Sequence, residues 1–149
     1  MATNAWVAKA KDGFNTLDVS EKYINSALNW LEIWLTDNAF ADYVSQIQYL
    51  IDSGRWNFLL DSFYQVIPFG TGGRRGLVGI GPNRINTWTI QASAQGHSQY
   101  LINAFGEAAK QRGVVLTYDV RKYTQKEIYD DAQPNPVMDL DGRQLAVAA

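Results

Sequence analysis

Apolar residues recur at helical spacing up to about residue 65, and the pattern then stops. Three segments between Ser20 and Gln65 place apolar side chains at i, i+3, i+4 and i+7, which predicts three short amphipathic helices. Ser20 is the expected N-cap of the first helix, residues 36–38 separate it from the second, and Gly54 ends the second. The side chains predicted to form the core are Ile24, Ala27, Leu28, Leu31, Trp34, Leu35, Phe40, Tyr43, Val44, Ile47, Leu50, Ile51, Trp56, Leu59, Leu60 and Phe63.

One long helix is predicted after this change of pattern. It runs from about Thr87 to Arg112, with Asn86 as its N-cap and Gly113 at its end. The apolar positions along it predict a buried stripe formed by Ile90, Ala94, His97, Leu101, Ala104 and Ala108.

Short apolar runs on either side of this helix indicate an α/β domain. VIPF precedes a glycine-rich loop, and VVLTY at 114–118 predicts a buried strand, so the expected order is β–loop–α–β. The predicted fold class is therefore α/β, with a short N-terminal helical extension at residues 1–65 and the start of an α/β domain at residues 66–149. A last helix, beginning at Gly142, has run only about two turns by the final residue. Because so few elements cannot cover both faces of a parallel sheet, we expect a piece of a longer protein.

Composition limits the classes of function. Thirteen Lys and Arg residues against fifteen Asp and Glu give a net charge of −2, which provides no basic surface for nucleic acid or for an anionic membrane. The absence of cysteine excludes disulfides, thiolate metal sites and cysteine nucleophiles. The first residues lack the apolar core of a signal peptide, and no apolar run reaches membrane length. A cytoplasmic protein is therefore expected.

The sequence PFGTGGRRG at 68–76 is the candidate binding site. Its glycines allow backbone N–H groups to converge on an anion, and an arginine guanidinium matches two phosphate oxygens at once. Residues 71–76 therefore predict a phosphate or sugar-phosphate cradle. The Walker A and strict Rossmann patterns do not fit, because the required Lys and third Gly are missing. On composition alone, a tight turn with water-facing arginines fits equally well.

Other polar motifs predict structural roles. Ser93 and His97 are one helical turn apart, but the nucleophile-elbow motif is absent, so His97 is expected to be a buried structural histidine. The sequences QPNPVMD and DLDGR contain Asn and Asp residues that are most simply turn residues, because neither matches a complete metal-binding loop.

Taken together, the motifs resemble those of a known enzyme family. PFGTGGRRG is similar to the FGTSGLRG signature of the α-D-phosphohexomutases, the phosphoglucomutase and phosphomannomutase family. GIGPNRIN, TIQASAQGHSQYL and VVLTYDVR follow in the family's order of glycine loop, helix and strand end, and GPNRIN resembles the phosphopentomutase-like branch. The helical segment before the loop resembles an extension of the bacterial members. The resemblance extends over nearly the whole chain.

This resemblance implies a role for several residues. Members of the family have four domains and move a phosphoryl group between the 1 and 6 hydroxyls of a hexose, using a phosphoserine and Mg²⁺. By position, Arg75 would face the substrate phosphate, and Thr71, Gly72 and Gly73 would shape the loop. Arg121 in YDVR would also bind phosphate, with Asp119 holding it by a paired hydrogen bond.

Two positions depart from the family signature. Gly72 stands where the family has Ser, which removes a hydroxyl donor, and Arg74 stands where it has Leu. Arg74 is either a second phosphate contact or a side chain that faces water, and the sequence leaves both readings open.

The family's catalytic motifs are not in this sequence. Neither the phosphoserine motif T-x-S-H-N-P nor the metal loop D-x-D-x-D-R occurs, so no catalytic residue and no metal ligand is assigned. We expect the amino-terminal portion of a phosphohexomutase, inactive alone, with Mg²⁺ and a hexose bisphosphate as cofactors of the full-length parent only. Its expected partners are a sugar phosphate and the remaining domains of the parent, with self-association through apolar surface that those domains would cover.

Two alternatives are kept. The chain is either a free-standing phosphate-binding or protein-interaction α/β module, or a nucleotide-binding oxidoreductase domain. LVGIGP after the glycine loop does not begin a helix, which weighs against the oxidoreductase.

Overall fold

The computed structural model describes residues 2–122 and 128–149. Over these residues the chain is mostly helical with one small antiparallel sheet, which is compatible with an α/β fragment. No helix in these ranges has the length and apolar character needed to cross a membrane. The elements are α1 (Ala2–Phe14), α2 (Glu21–Thr36), a 3₁₀ helix (Asn38–Tyr43), α3 (Val44–Asp52), α4 (Trp56–Phe63), β1 (Phe69–Gly70), β2 (Gly73–Arg74), α5 (Thr87–Phe105), α6 (Glu107–Arg112) and α7 (Gly142–Ala148).

The three helices predicted before residue 66 are confirmed as α2, α3 and α4. Ser20 is the N-cap of α2, and Gly54 follows α3 with a φ of 66°, a conformation that favours glycine. Between α2 and α3, the Asp37 carboxylate accepts a hydrogen bond from the N–H of Ala39 and caps the 3₁₀ helix. Most of the predicted core is buried, and the half-buried exceptions are Leu28, Leu35, Val44 and Trp56.

Trp34 lies at the centre of the helical core. Its side chain is fully buried and stacks on Phe40 with ring centroids 4.3 Å apart. The ring also meets Trp88, in the first turn of α5, at 5.8 Å. The same cluster of buried apolar residues includes Ala10 in α1 and Leu145 in α7. Residues on both sides of position 66 therefore share a core, and the division into two domains stays a prediction.

Helix α1 is an addition to the three predicted helices. It buries Ala10 and Phe14 against the rest of the bundle. Gly13 allows the Trp56 ring of α4 to lie directly on its backbone, because a Cβ at that position would be 2.3 Å from the ring. The contact joins residues far apart in sequence, so the pattern of α1 alone does not reveal it.

The segment 79–89, which we call the α5 knot, contains the loop before α5 and the first turn of that helix. Asn86 is the N-cap of α5, as predicted. The buried Asn86 carboxamide donates to the carbonyls of Gly79 and Gly81 at 2.8 and 2.9 Å and accepts from the N–H of Thr89 at 3.0 Å. The Thr89 hydroxyl accepts from the N–H of Asn86, which completes a capping box. Gly81, with a φ of 117°, lies so close to α4 that a Cβ would be 2.4 Å from the Ser62 carbonyl oxygen.

Arg84 and Tyr129 attach the α5 knot to its surroundings. Arg84 is 3% exposed, donates from Nη2 to Asp61 Oδ2 at 2.6 Å and lies over the Phe58 ring at 5.0 Å. The Tyr129 hydroxyl accepts from the N–H of Ile80 at 3.0 Å. Burial raises the pKa of Tyr129 to about 12. The knot is thus fixed by α4 on one side and by the carboxy-terminal segment on the other.

Gln46 of α3 holds that carboxy-terminal segment. Its side chain is fully buried and donates to the carbonyls of Asp130, Gln133 and Pro134, while its Oε1 accepts from the N–H of Asp130. These bonds span 84 to 88 positions in the sequence. A polar residue on the inner face of an amphipathic helix thereby bonds several backbone groups of a segment that is distant in sequence.

The predicted β elements are wrong in position. Residues 114–118 are exposed and form no strand, because the described chain places no strand beside them and an isolated strand leaves its backbone groups unpaired. Of VIPF, only Phe69 lies in a strand, since Pro68 has no N–H and Ile67 bonds instead to the Pro82 carbonyl. The observed strands, β1 and β2, lie inside the glycine loop itself.

The long predicted helix is present but divided. Gly106, with a φ of 58°, separates α5 from α6, which ends before Gly113 as predicted. Of the predicted buried stripe, His97 and Ala104 are exposed, and the other members, Ile90, Ala94, Leu101 and Ala108, are half-buried. The reason is that only the beginning of α5 contacts the core, and Thr89 is its one fully buried residue. The last predicted helix is confirmed as α7, capped by the Asp141 carboxylate.

Replacing Asn86 by alanine is expected to lower the free energy of unfolding by about 2–4 kcal/mol. The change removes the α5 cap and leaves two buried carbonyls without a donor. Urea denaturation followed by circular dichroism measures it. Asn103→Ala, at an exposed position of the same helix, is the control and should change stability by less than about 0.5 kcal/mol. Equal stability of the two variants would contradict this role of Asn86.

Alkaline pH is expected to destabilise the protein through Tyr129. Its pKa is about 12 in the folded chain against a model-peptide value of 10.0, so the folded state retains the proton longer than the unfolded state does. This stabilisation is complete below pH 10 and is lost as the pH rises to 12, by about 1 kcal/mol at pH 11. Urea denaturation at pH 9 and 11 should show a smaller difference for Tyr129→Phe than for wild type. Tyr100→Phe, at an exposed tyrosine, should match wild type, and a Tyr129→Phe variant with unchanged pH dependence would refute the assignment.

Candidate functional site

The glycine loop folds into a hairpin whose tip faces solvent. Strands β1 and β2 pair Phe69 with Arg74 and Gly70 with Gly73, and the two residues between them, Thr71 and Gly72, are exposed. A Cβ on Gly72 would have no neighbour within 4 Å. The amides of Thr71 and Gly72 form no hydrogen bond to another described residue. A ligand can therefore approach the backbone of the tip closely.

Two glycines lie at constrained positions of the hairpin. Gly73 has a φ of 136°, which side-chain-bearing residues rarely adopt. Gly76 lies where a Cβ would be 2.6 Å from Ile67 Cδ1, so the outgoing chain packs on a buried residue of the incoming chain. Because the Ile67 N–H donates to the Pro82 carbonyl at 2.9 Å, the base of the hairpin is tied to the α5 knot.

The two arginines of the loop have different environments. Arg74 is half-buried, and its Nη1 donates to the Thr89 carbonyl of α5 at 3.2 Å. Its Nε is enclosed and has no hydrogen-bond partner among the described residues. Arg75 is exposed and forms no hydrogen bond or ion pair within the described part of the chain. Of the two, Arg75 is the one that an external anion can reach.

The second predicted phosphate contact, Arg121, lies on a separate segment. It forms an ion pair with Asp119, and its N–H donates to Asp119 Oδ1 at 3.0 Å, so the predicted pairing is present. The hydrogen bonds from Arg121 hold the pKa of Asp119 below its usual value. Since Arg75 contacts no described residue by a polar bond, the structure does not join it to Arg121.

A cavity of about 310 Å³ lies beside this second segment. It is open to solvent and mostly apolar, and it joins the start of α5 to α7. Its lining residues are Ile90, Leu116, Thr117, Tyr118, Asp119, Gly142, Leu145, Ala146 and Ala149. Because Ile90 follows Thr89, the residue that Arg74 contacts, the cavity lies beside the end of α5 that the hairpin contacts.

The remaining polar motifs have structural roles in the part of the chain that is described. The Ser93 hydroxyl donates to the Thr89 carbonyl at 2.7 Å, one turn earlier in α5, rather than to His97. Asn135 accepts from the N–H of Val137, as expected of a turn residue, whereas Asp141 is the N-cap of α7. Residues 2–122 and 128–149 contain no group of three or more His, Cys, Asp and Glu side chains that could hold a metal ion.

The sequence did not reveal the anchoring residues of this site. Thr89 was recognisable only as a residue of the first helical turn, yet its hydroxyl completes the capping box and its carbonyl receives Arg74. Gln46 and Arg84 resemble ordinary surface residues in the sequence, and both are buried. The one available signal was N-x-x-T at the start of α5, which is a variant of the capping box.

Similarity to enzymes of the phosphohexomutase family covers about half of the chain. Over 77 residues the chain is 38% identical to a phosphopentomutase of Mus musculus, which covers 52% of this chain and 12% of that protein. Over 70 residues it is 37% identical to a phosphoglucomutase of Staphylococcus haemolyticus, which covers 47% of this chain and 12% of that protein. Over 76 residues it is 40% identical to a glucose 1,6-bisphosphate synthase of Homo sapiens, and this match covers 51% of this chain and 12% of that protein.

These matches confirm the resemblance found in the motifs, over about half of the chain rather than nearly all of it. The chain spans 12% of the length of these relatives. No protein-family model and no solved structure matches it. The assignment of residues 66–149 to the first phosphohexomutase domain, and of the site residues to phosphate binding, therefore stays a prediction.

Replacing Gly73 by alanine is expected to disrupt the hairpin, whereas replacing Gly72 is not. Neither Cβ would meet a neighbour, so only the backbone distinguishes the two: Gly73 has a φ of 136° and Gly72 has no positive φ. The strain is about 1–3 kcal/mol, enough to open a pair of two-residue strands. NMR chemical shifts of Phe69–Arg74 should approach random-coil values in Gly73→Ala and stay near wild type in Gly72→Ala. Native hairpin shifts in Gly73→Ala would contradict the argument.

Proposed function

We propose that this chain is the amino-terminal part of a phosphohexomutase, an intramolecular phosphotransferase that interconverts sugar 1-phosphates and 6-phosphates. The observation that carries the proposal is the similarity of about half of the chain to a phosphopentomutase and a phosphoglucomutase. Those relatives are much longer than this chain. The proposed activity is therefore that of a longer parent protein, and the 149 residues alone are expected to bind a sugar phosphate without converting it.

Within this proposal, the hairpin tip contacts the phosphate group of the substrate. Two observations support that role: the amides of the exposed residues Thr71 and Gly72 have no hydrogen-bond partner in the described chain, and Arg75, three residues after Gly72, is exposed. Amide N–H groups and a planar guanidinium together match the tetrahedral oxygens of a phosphate ester. Donors that are fixed before the ligand arrives also stabilise charge on a phosphoryl group during transfer. Gly73 shapes the tip through its backbone conformation.

Arg121 is proposed as a second phosphate contact of the parent protein. The Asp119 carboxylate holds the guanidinium through its Nε and Nη2, which fixes its direction. Asp119 and Arg121 are both exposed, so this pair is accessible to a ligand. The open cavity next to it, lined by Thr117 and Tyr118 among others, provides room for a sugar ring.

Mg²⁺ and a hexose bisphosphate belong to the proposed parent rather than to these residues. The described residues do not fit a metal site, because they contain no cluster of three or more metal-ligating side chains. No step of the reaction is assigned to them through a metal. Their proposed contribution is to bind and orient phosphate.

A second candidate function is a protein-interaction module, which a specific observation favours. Large apolar side chains are exposed along α5 and the segment after α6, and Val115 and Val120 are 90% and 98% exposed. Exposed apolar surface of this kind usually lies at an interface. Within the main proposal its partner is the remainder of the parent protein, and self-association is the expected behaviour of the chain alone.

Titration with glucose 1-phosphate tests the main proposal. In the ¹⁵N-labelled chain, the amides of Gly72 and Gly73 should shift at millimolar ligand, and unphosphorylated glucose should not shift them. Arg75→Gln should weaken binding by about tenfold, because a charge-assisted contact is lost. Arg112→Gln, which removes the same charge from an exposed position of α6, is the control. Absence of any shift in wild type would overturn the phosphate-binding role and leave the interaction module as the better explanation.

A further inference from the structure

We propose that Arg74 is a positioning residue, which holds the glycine hairpin against α5 and thereby directs Arg75 outward to an oxyanion ligand. The sequence leaves Arg74 open between a second phosphate contact and a side chain that faces water. The contacts of its guanidinium favour neither of these two roles, because Nη1 bonds a protein carbonyl and Nε is buried. The inference rests on the proposed phosphate-binding role of the hairpin and adds to it the residue that sets the hairpin's orientation.

The hairpin needs an anchor because it is too short to hold itself. Each strand has two residues, and even longer isolated hairpins are marginally stable in water. Phe69, the partner of Arg74 in the ladder, is 73% exposed and adds no core packing. The base of the hairpin is fixed at Ile67 and Gly76, but these contacts do not determine the direction of the tip.

Arg74 supplies the lateral contact. Its Nη1 donates to the Thr89 carbonyl across 15 positions of sequence. Thr89 itself is fully buried and fixed on both sides, because its hydroxyl donates to the Arg84 carbonyl and its N–H donates to Asn86. The acceptor is therefore part of the α5 knot and cannot follow the hairpin if it moves.

The burial of Arg74 weighs against direct phosphate binding. Its Nε is buried and has no hydrogen-bond partner among the described residues, so an anion could reach this nitrogen only if the surrounding atoms moved. A two-pronged phosphate contact through Nε is thus incompatible with the observed position. The hydrogen bond from Nη1 to the Thr89 carbonyl joins the hairpin to α5 instead.

The anchor also explains the exposure of Arg75. β2 ends at Arg74, whose guanidinium is directed to Thr89 of α5. Arg75 directly follows β2 and is the exposed member of the pair. The direction of the proposed ligand contact is therefore set by its neighbour rather than by any contact of its own.

Two measurements on three variants test this inference. Hydrogen–deuterium exchange of the hairpin amides, recorded without ligand, reports the anchor, and the Kd for glucose 1-phosphate reports the orientation of Arg75. Arg74→Ala should increase exchange by about tenfold and weaken binding by a similar factor, because a hydrogen bond from a charged group is lost. Arg74→Lys keeps a donor that can reach the Thr89 carbonyl and should restore both values to within about threefold of wild type. Arg75→Ala should weaken binding and leave exchange unchanged.

The outcomes separate this inference from the function on which it rests. If the hairpin amides of Arg74→Ala exchanged at the wild-type rate, Arg74 would not anchor the hairpin and the inference would be wrong. If binding of glucose 1-phosphate were lost in the same variant, Arg74 would be a direct ligand contact. Failure of Arg74→Lys to restore exchange would also overturn the inference. If the wild-type chain bound no glucose 1-phosphate, the proposed function would fail, while the ligand-free exchange of Arg74→Ala would still decide whether Arg74 holds the hairpin.

Discussion

The buried carboxamide of Asn86 is the interaction on which the surroundings of the glycine hairpin depend. It donates to the carbonyls of Gly79 and Gly81 and accepts from the first turn of α5. These backbone groups lie away from water, where an unpaired polar group costs about 1–3 kcal/mol. One side chain thus ends the loop, begins the helix and fixes the angle between them. The positions of Thr89 and of everything attached to it follow from this contact.

The hairpin is a small, exposed element attached to this rigid base. It takes little stability from its own strand pairing and is held by Ile67 at its base and by Arg74 at its side. Such a division suits a binding element, because the tip keeps free amide donors while its orientation is set elsewhere. Similarity to phosphohexomutase-family enzymes over about half of the chain makes a sugar phosphate the ligand to test first.

Local signals account for what the sequence predicted correctly. The periodicity of α2, α3 and α4 and the Asn86 cap of α5 depend on neighbours within one or two turns. The incorrect predictions concern residues whose state depends on distant partners. Residues 114–118 have strong β propensity but no adjacent strand in the described chain, and His97 lies at a position of α5 that the described residues leave exposed. Propensity and periodicity indicate which secondary structure a segment can form, and which face it can bury, once another element packs against it.

The sequence by itself determined α2, α3, α4 and α7, the start of α5 at its Asn86 cap, and the presence of a glycine-rich anion-binding candidate with two adjacent arginines. Only the tertiary structure decided which arginine is accessible, because the answer depends on a carbonyl in α5 that Arg74 reaches across the fold. The same is true of Gln46, whose partners are 84 to 88 residues away. Hydrogen-bonding capacity is a property of a residue, whereas the partner that satisfies it is a property of the folded chain.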